Sequence, residues 1–266
     1  MNNREFKSPY DWGKFCLFLK KTNRYILNKE WTDFKSALLS SAQKRETFLE
    51  EGARYVRARV GSYEKESEGE NGLPIIKTGP HCPRELGAPP PERTKNGRIN
   101  PRGISYLYLS NEEKTAILEV KAWIGQKVSI GYFELKKRLK CIDVSQDKKT
   151  LIPYWGGCEE KLNSEEREKA VWGAINSSFS EPIRSADDTI NYIPTQYLSE
   201  LFKNNGYDGI IYKSSLMKKG YNIVLFNPED AILSGAKVFE IDSIMPSISE
   251  CDNSYKCKKH VSDQSH

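Results

Sequence analysis

Three short segments of the chain carry polar side chains whose types and spacing could do chemistry. In the first, Arg57 and Arg59 alternate along the strand-like segment Arg54–Val60, so both guanidinium groups project from one face. A strand with two arginines on one face needs anions to satisfy them. A bound anionic ligand would do this, and the purely structural alternatives are a solvated sheet face or ion pairs with glutamate.

The second segment covers residues 98–120 and is typical of a loop, a strand and then a helix. Tyr108 lies near the end of the strand, and Glu119 lies on the third turn of the helix. We expect Ser110 to cap that helix, with Glu113 as its capping-box partner. By spacing alone, Glu119 is also compatible with a solvated charge, and Tyr108 with a core aromatic residue whose hydroxyl reaches the surface.

The third segment is a predicted strand that runs into Ser214 and Ser215. Two hydroxyl groups at the end of a strand could hold a polar substrate, although a Ser-Ser pair in this position also marks an ordinary turn. The sequence contains no GxSxG elbow and no phosphate-binding P-loop, which disfavours a serine hydrolase and a nucleoside triphosphatase.

The charge of the chain is only mildly basic. Its 266 residues include 41 lysines and arginines against 36 acidic residues, a net charge of +5, with the two signs mixed nearly everywhere. A dedicated duplex binder shows a stronger and more clustered positive excess, so the pattern argues against nucleic acid as the partner. By net charge alone, a small anionic ligand is as compatible with the chain as a nucleic acid is.

We expect a cytoplasmic protein with no membrane partner and no metal site. No stretch approaches the roughly 18 consecutive apolar residues of a membrane span, and the first residues lack the apolar core of a secretory signal. The six cysteines are scattered without a CxxC pair, as expected for free thiols. Cys251, Cys257 and His260 hint at a metal site, but their spacing fits no standard zinc site and a fourth ligand is missing.

The elements that must position these residues predict an α+β fold. Apolar residues at helical spacing predict a helical region over residues 1–52 with Gly52 as its C-cap, whereas residues 61–97 have the charged and proline-rich composition of a long loop. The strands predicted after that loop are 105–109, 127–133, 139–144, 209–214, 222–226 and 237–241, and the later helices are 164–178 and 195–205. A polar tail, residues 246–266, is predicted to be disordered.

Seven motifs in a fixed order resemble the RES domain family, which is named for its arginine, glutamate and serine. They are Arg-Ala-Arg-Val (57–60), Pro-Pro-Pro (89–91), Gly-Arg-Ile-Asn-Pro-Arg-Gly-Ile (97–104), Leu-Tyr-Leu-Ser (107–110), Thr-Ala-Ile-Leu-Glu-Val (115–120), Tyr-Ile-Pro-Thr-Gln-Tyr-Leu-Ser-Glu (192–200) and Gly-Tyr-Asp-Gly-Ile-Ile-Tyr-Lys-Ser-Ser (206–215). Each motif is weak by itself, but their shared order over about residues 53–230 is specific.

The resemblance implies an ADP-ribosyltransferase-like fold, in which a split mixed β-sheet with interspersed helices surrounds a cleft for NAD. We therefore predict a small N-terminal helical cap (1–52), a RES domain (53–245) and the tail. NAD would be the substrate, and no cofactor is expected. Many members are toxins that consume NAD or transfer ADP-ribose from it, and their partners are commonly antitoxins with an Xre-like helix-turn-helix.

Carried over residue by residue, the family arginine falls on Arg57, with Arg59 as the alternative register. The glutamate falls on Glu119, and the serine falls on Ser214 or Ser215. Cleavage of the nicotinamide–ribose bond builds positive charge on the ribose, which a carboxylate at Glu119 would stabilise. We predict Glu119, Arg57 and Ser214 as catalytic residues on this basis.

The same resemblance places further substrate contacts. Arg98 matches a second basic position, and its guanidinium would bind the pyrophosphate of NAD together with Arg57. Tyr108 matches a pocket tyrosine whose ring would stack on the nicotinamide. The hydroxyl groups of Ser214 and Ser215 would hold the ribose or the nicotinamide amide.

Several alternatives remain open at this point. The acceptor of the ADP-ribosyl group could be water, inorganic phosphate or a protein side chain. A toxin ribonuclease is a second possible function, although the sequence offers neither a well-placed histidine nor a metal-binding carboxylate cluster. A third is a catalytically idle module whose helical cap docks a partner, against which the intact Arg57, Tyr108 and Glu119 argue. A homo-oligomer is also open, because the apolar residues of the cap could bury against the same chain or a second copy.

Overall fold

The structure is a computed structural model that describes residues 5–68, 73–147, 162–181 and 189–244. The helices are α1 (Asp11–Lys21), α2 (Lys29–Ala42), α3 (Pro83–Leu86), α4 (Glu113–Glu119), α5 (Ser164–Ser180) and α6 (Ile193–Asn204). The strands are β1 (Glu46–Leu49), β2 (Arg54–Val60), β3 (Tyr63–Glu68), β4 (Pro74–Gly79), β5 (Leu107–Ser110), β6 (Lys127–Leu135), β7 (Leu139–Asp143), β8 (Gly209–Lys213), β9 (Tyr221–Leu225) and β10 (Ala231–Glu240).

In the part of the chain that the structure describes, the main sheet has eight strands in the order β1-β7-β8-β9-β5-β2-β6-β10. β7 pairs in parallel with β8, and the other pairings of this sheet are antiparallel. β2 pairs with β6 over its whole length, but it meets β5 only at Val56 opposite Ser110. The sheet is therefore nearly split between β5 and β2, and the predicted α+β class with a mixed sheet and N-terminal helices is confirmed.

One face of the sheet is covered by α1, α2, α5 and α6 in a single apolar core. Its fully buried members include Phe15 from α1, Leu38 from α2, Trp172 from α5 and Phe202 from α6. Each such side chain contributes about 1.5–3 kcal/mol through its burial. The N-terminal helices therefore share one core with the helices of the RES region, while the division of the chain into three regions stays a prediction.

A smaller apolar cluster fixes α4 against the sheet beside the split. Ala116 of α4 packs with Val56 and Ala58 of β2 and with Val128 and Ile130 of β6. Because these contacts hold α4 over β2, the last residue of the helix, Glu119, is brought close to the gap between β2 and β5.

The prediction of helix over the whole of residues 1–52 is wrong at its end. Residues 46–49 form the edge strand β1, which pairs antiparallel with β7, and Glu46 accepts a hydrogen bond from the Tyr207 hydroxyl. Gly52 has a positive φ of 77°, but it lies in the turn from β1 to β2 rather than at a helix end. Four residues are too few for apolar spacing to distinguish a strand from a helix.

Two further expectations differ from the structure. The predicted loop 61–97 contains a hairpin, β3–β4, which Lys127 anchors to the main sheet through hydrogen bonds to Glu64 and Thr78. Ser110 does not cap α4, whose N-cap is Glu112 without a capping side-chain bond. Ser110 instead ends β5 and donates its hydroxyl hydrogen to Asn222, because that buried amide competes for it.

The remaining predicted elements are found with small shifts of their ends, and β10 is longer than predicted. Within the described parts of the chain, no helix is long and apolar enough to cross a membrane. The predicted disordered tail and the cluster of Cys251, Cys257 and His260 lie outside the described residues.

Candidate active site

A cavity of about 290 Å³ opens where β2 and β5 separate. This volume is at the lower end of small-molecule sites, which span roughly 300–1,000 Å³. Four of the predicted site residues, Arg57, Arg98, Tyr108 and Glu119, line the cavity. Ser110, Tyr212 and Asn222, which were not predicted as site residues, line it as well.

Arg57 is a half-buried cation that has no counter-ion among the described residues. It lies in the middle of β2 opposite Gly131, and its Nη1 donates only a long hydrogen bond of 3.4 Å to the Tyr108 carbonyl. Among the described residues no carboxylate forms an ion pair with it, and burial lowers the pKa of its guanidinium. A guanidinium remains protonated in proteins, so its unmatched charge favours an anion in the cavity.

Arg59, the alternative register, is placed differently. Its side chain is exposed and its Nη1 donates a 2.6 Å hydrogen bond to the carbonyl of Glu85 in α3. Arg59 does not line the cavity. The geometry therefore favours Arg57 over Arg59 as the arginine of the site.

Arg98 lines the cavity, and its guanidinium also donates hydrogen bonds to backbone carbonyls at the C-terminal end of α5. Its Nη1 donates to the carbonyls of Phe179 at 2.8 Å and Ser178 at 3.4 Å, and to that of Glu181. A cation at a helix C-terminus satisfies carbonyls that lack partners and interacts favourably with the helix dipole. Arg98 thus has a structural role whether or not it also contacts a ligand.

The Tyr108 ring is held rigidly at the cavity wall by its hydroxyl. That hydroxyl donates to Asn100 Oδ1 at 2.7 Å and accepts from the Ile99 backbone N–H at 3.3 Å. Gly97 permits this packing, because a Cβ there would lie 2.3 Å from Asn100 Oδ1 and 2.9 Å from the Tyr108 hydroxyl. Burial raises the pKa of Tyr108, so it stays protonated, and its ring rather than its hydroxyl is what it offers to a ligand.

One oxygen of the Glu119 carboxylate accepts hydrogen bonds from two side chains. Ser214 Oγ donates to Glu119 Oε1 at 2.8 Å, and Asn222 Nδ2 donates to the same oxygen at 2.7 Å. Glu119 is otherwise exposed, and its Oε2 accepts no hydrogen bond from the described residues. The carboxylate is therefore fixed in direction while one of its oxygens remains free at the cavity.

Ser214 and Ser215 lie in different environments. Ser214 is 3% exposed and binds Glu119, whereas the side chain of Ser215 is exposed and does not line the cavity. Ser214 therefore binds the Glu119 carboxylate, and neither Ser214 nor Ser215 lines the cavity. The direct contacts that we expected from these serines to ribose or nicotinamide stay a prediction.

Asn222 and Tyr212 were not predicted as site residues, although the pattern of their strands contained a signal for each. Asn222 is a single amide inside the apolar strand β9, and buried polar groups in such strands need a specific partner. Tyr212 is two residues before Ser214 on β8 and so shares its face. It is 8% exposed, its hydroxyl bonds to no described residue, and burial raises its pKa, so it offers a neutral donor to the cavity.

The cavity therefore combines two guanidinium groups, of which Arg57 has no carboxylate partner among the described residues, one oriented carboxylate and two aromatic side chains. Such a set suits a ligand that carries an anionic group and develops positive charge elsewhere. Within the described residues, no three His, Cys, Asp or Glu side chains are grouped so that they could hold a metal ion.

Comparisons with known proteins identify the family. No curated protein sequence matches the chain significantly. Among solved structures, the chain is similar to one in the crystal structure of the M. tuberculosis MbcT–MbcA toxin–antitoxin complex, with 14% identity, a TM-score of 0.41, and coverage of 76% of this chain and 92% of that chain.

The model of the RES domain family matches residues 81–240, which is more than half of the chain. The matched range includes Arg98, Tyr108, Glu119 and Ser214, whereas Arg57 precedes it. The resemblance inferred from the order of the motifs is confirmed, and the chain belongs to the RES domain family.

Proposed function

We propose that this protein is a toxin that cleaves the nicotinamide–ribose bond of NAD. The proposal rests on two groups in one cavity. Among the described residues, the Arg57 guanidinium has no counter-ion and one oxygen of the Glu119 carboxylate accepts no hydrogen bond. Oxidised NAD complements both, because it contains a pyrophosphate and a ribose that becomes positively charged as the bond breaks.

The electron pair of the bond between ribose and nicotinamide moves to the ring nitrogen, which neutralises the pyridinium, and nicotinamide leaves. The ribose carbon gains oxocarbenium character, and the nearby Glu119 carboxylate stabilises that charge. An acceptor oxygen then bonds to the carbon and loses its proton, which gives ADP-ribose when the acceptor is water.

The other residues would bind and orient NAD. Arg57 would contact a phosphate oxygen, and the rigid Tyr108 ring would stack on an aromatic ring of the substrate. Tyr212 would donate its hydroxyl hydrogen to a polar group of the part of NAD that enters the cavity. The exposed side of Glu119 is where an acceptor would arrive, and water, phosphate or a protein side chain each suits that position.

The reduced coenzyme, NADH, tests whether cleavage depends on a leaving group that departs as neutral nicotinamide. NADH has the same pyrophosphate and ribose groups, but its dihydropyridine ring is uncharged, so cleavage would expel an anion instead of neutral nicotinamide. We expect the purified protein to consume NAD while leaving NADH intact. Equal loss of both would contradict cleavage by this route.

The toxin role rests on membership of the RES family and on what the family resemblance implies. We expect expression of the wild-type chain in bacteria to arrest growth and deplete cellular NAD, and a Glu119→Gln variant to do neither. An antitoxin is the partner that we propose, and co-expression of a cognate antitoxin would restore growth. Growth arrest with an unchanged NAD level would favour a different toxin activity, such as RNA cleavage.

A further inference from the structure

Asn222 and Ser110 extend the hydrogen bonds of the site behind Glu119. Asn222 is 4% exposed and donates from Nδ2 to Glu119 Oε1 at 2.7 Å. Its Oδ1 accepts a 2.7 Å hydrogen bond from Ser110 Oγ, and Ser110 is also buried. The three side chains come from β5, α4 and β9, so the chain of contacts bridges the elements around the cavity.

The chemistry of these groups fixes the direction of each hydrogen bond. An ionised carboxylate only accepts hydrogen bonds, so the Asn222 amide must turn its NH₂ group toward Glu119. The amide oxygen then faces Ser110, whose hydroxyl must donate. Glu119 sets which way the amide faces, and the hydrogen bond from Ser110 restrains the amide in that position.

The position of Glu119 makes this support necessary. The residue is the last one of α4, where the carbonyl end of the helix disfavours negative charge. It is also exposed, so apolar packing does not hold its side chain in one rotamer. Two donors on Oε1, from Asn222 and Ser214, restrict the carboxylate and direct Oε2 away from them.

We propose that Asn222, restrained by Ser110, is a positioning residue that aims the Glu119 carboxylate at the ribose in the cleavage of NAD. This inference rests on the proposed function. Asn222 acts through Glu119, so its loss should slow the chemical step without weakening substrate binding. Misplacing a reacting group by about 1 Å costs on the order of 100-fold in rate.

The test is the isosteric variant Asn222→Asp, which keeps the acceptor for Ser110 but replaces the donor to Glu119 with an oxygen. We expect kcat for NAD to fall about 100-fold while KM changes less than about threefold. Ser110→Ala, which frees the amide to rotate, should lower kcat by about fivefold to tenfold. Unchanged kcat in Asn222→Asp would overturn the proposal.

Asn176 provides a matched control outside the cavity. It is 7% exposed, its Nδ2 donates to the Asp147 carbonyl, and its Oδ1 accepts from a serine, Ser180. Asn176→Asp therefore makes the same change in a similar buried setting, and we expect it to retain wild-type kcat. An equal loss in both variants would show that the effect is structural and overturn the proposal.

A double variant shows whether Asn222 affects kcat through Glu119 or independently of it. In the Glu119→Gln background, Asn222→Asp should lower kcat by less than about threefold, since the carboxylate that it positions is already absent. A further 100-fold loss in that background would contradict a role that acts through Glu119.

An activity-independent measurement distinguishes failure of this inference from failure of the proposed function. The Asn222 side-chain amide signal in a ¹⁵N–¹H spectrum, assigned by its loss in Asn222→Asp, should shift in both Glu119→Gln and Ser110→Ala. If the wild-type chain leaves NAD intact but these shifts are seen, the proposed reaction fails and the hydrogen-bond chain stands. An amide signal that neither substitution moves would overturn the hydrogen-bond chain itself.

Discussion

Replacing Glu119 with glutamine isolates the charge of the carboxylate from its geometry. Glutamine has the same shape, and its amide oxygen can occupy the Oε1 position and accept hydrogen bonds from Ser214 and Asn222. Because Glu119 is exposed, we expect the free energy of unfolding to change by less than about 1 kcal/mol. A loss of activity in this variant would therefore report on charge.

The size of that loss follows from the interaction of the carboxylate with the developing ribose cation. Two unit charges about 4 Å apart attract by about 4 kcal/mol at an effective dielectric constant of about 20. That energy corresponds to a rate factor of about 1,000. Water screens part of it because Glu119 is exposed, so we expect Glu119→Gln to lower kcat by about 100-fold to 1,000-fold.

The assay is the initial rate of nicotinamide release from NAD at saturating substrate, measured with a thermal melt of each sample. Glu112→Gln is the matched control, because Glu112 is the exposed N-cap of the same helix and lies outside the cavity lining. We expect this control to keep wild-type activity. A Glu119→Gln variant within tenfold of wild type would refute the charge-stabilising role.

Three other substitutions test the remaining contacts. Arg57→Ala should raise the Kd for NAD, measured by calorimetry, by about 10-fold to 100-fold through loss of a charge-assisted bond, whereas Arg59→Ala should change it less than about twofold. An unchanged Kd in Arg57→Ala would make that arginine structural. Ser214→Ala should lower kcat about fivefold to tenfold and Ser215→Ala should not, as steady-state kinetics would show; equal effects would contradict the geometry. Tyr212→Phe should raise KM by about fivefold with an unchanged melting temperature, and an unchanged KM would exclude its hydroxyl from binding.

The long, regular elements of this fold could be predicted from the sequence. The helix α5 begins at an Asn163 cap that forms a capping box with Glu166, and its buried face repeats at helical spacing. The strands β8 and β9 are short apolar runs between turn residues. In these segments the local signals and the tertiary packing favour the same structure.

The errors arose where long-range pairing decides the structure. The strand β1 exists because it pairs with β7, about 90 residues later, and nothing in its own four residues predicts that partner. Ser110 has the residue type and spacing of a helix cap, yet its hydroxyl is used by Asn222. Local capping rules cannot weigh a competing acceptor that the fold brings from another strand.

The residues of the candidate site, too, were only partly predictable from the sequence. The order of the motifs was enough to select Arg57, Tyr108 and Glu119, which the fold brings to one cavity. The sequence left Arg57 against Arg59 and Ser214 against Ser215 open. Arg57 and Arg59 share one face of the strand and Ser214 and Ser215 are neighbours in the chain, so only the folded structure shows which of each pair reaches the site. The second donor to Glu119, Asn222, could be recognised only once β9 was placed beside β5.

The central claim, cleavage of the nicotinamide–ribose bond, is tested most directly by incubating the purified wild-type chain with NAD and following proton NMR spectra, with and without phosphate and a protein lysate. We expect free nicotinamide to appear together with one co-product that identifies the acceptor. This co-product is ADP-ribose for water, a phosphorylated ADP-ribose for phosphate, or modified protein for a transferase. Intact NAD under every condition, from a sample whose spectrum shows a folded protein, would contradict the account.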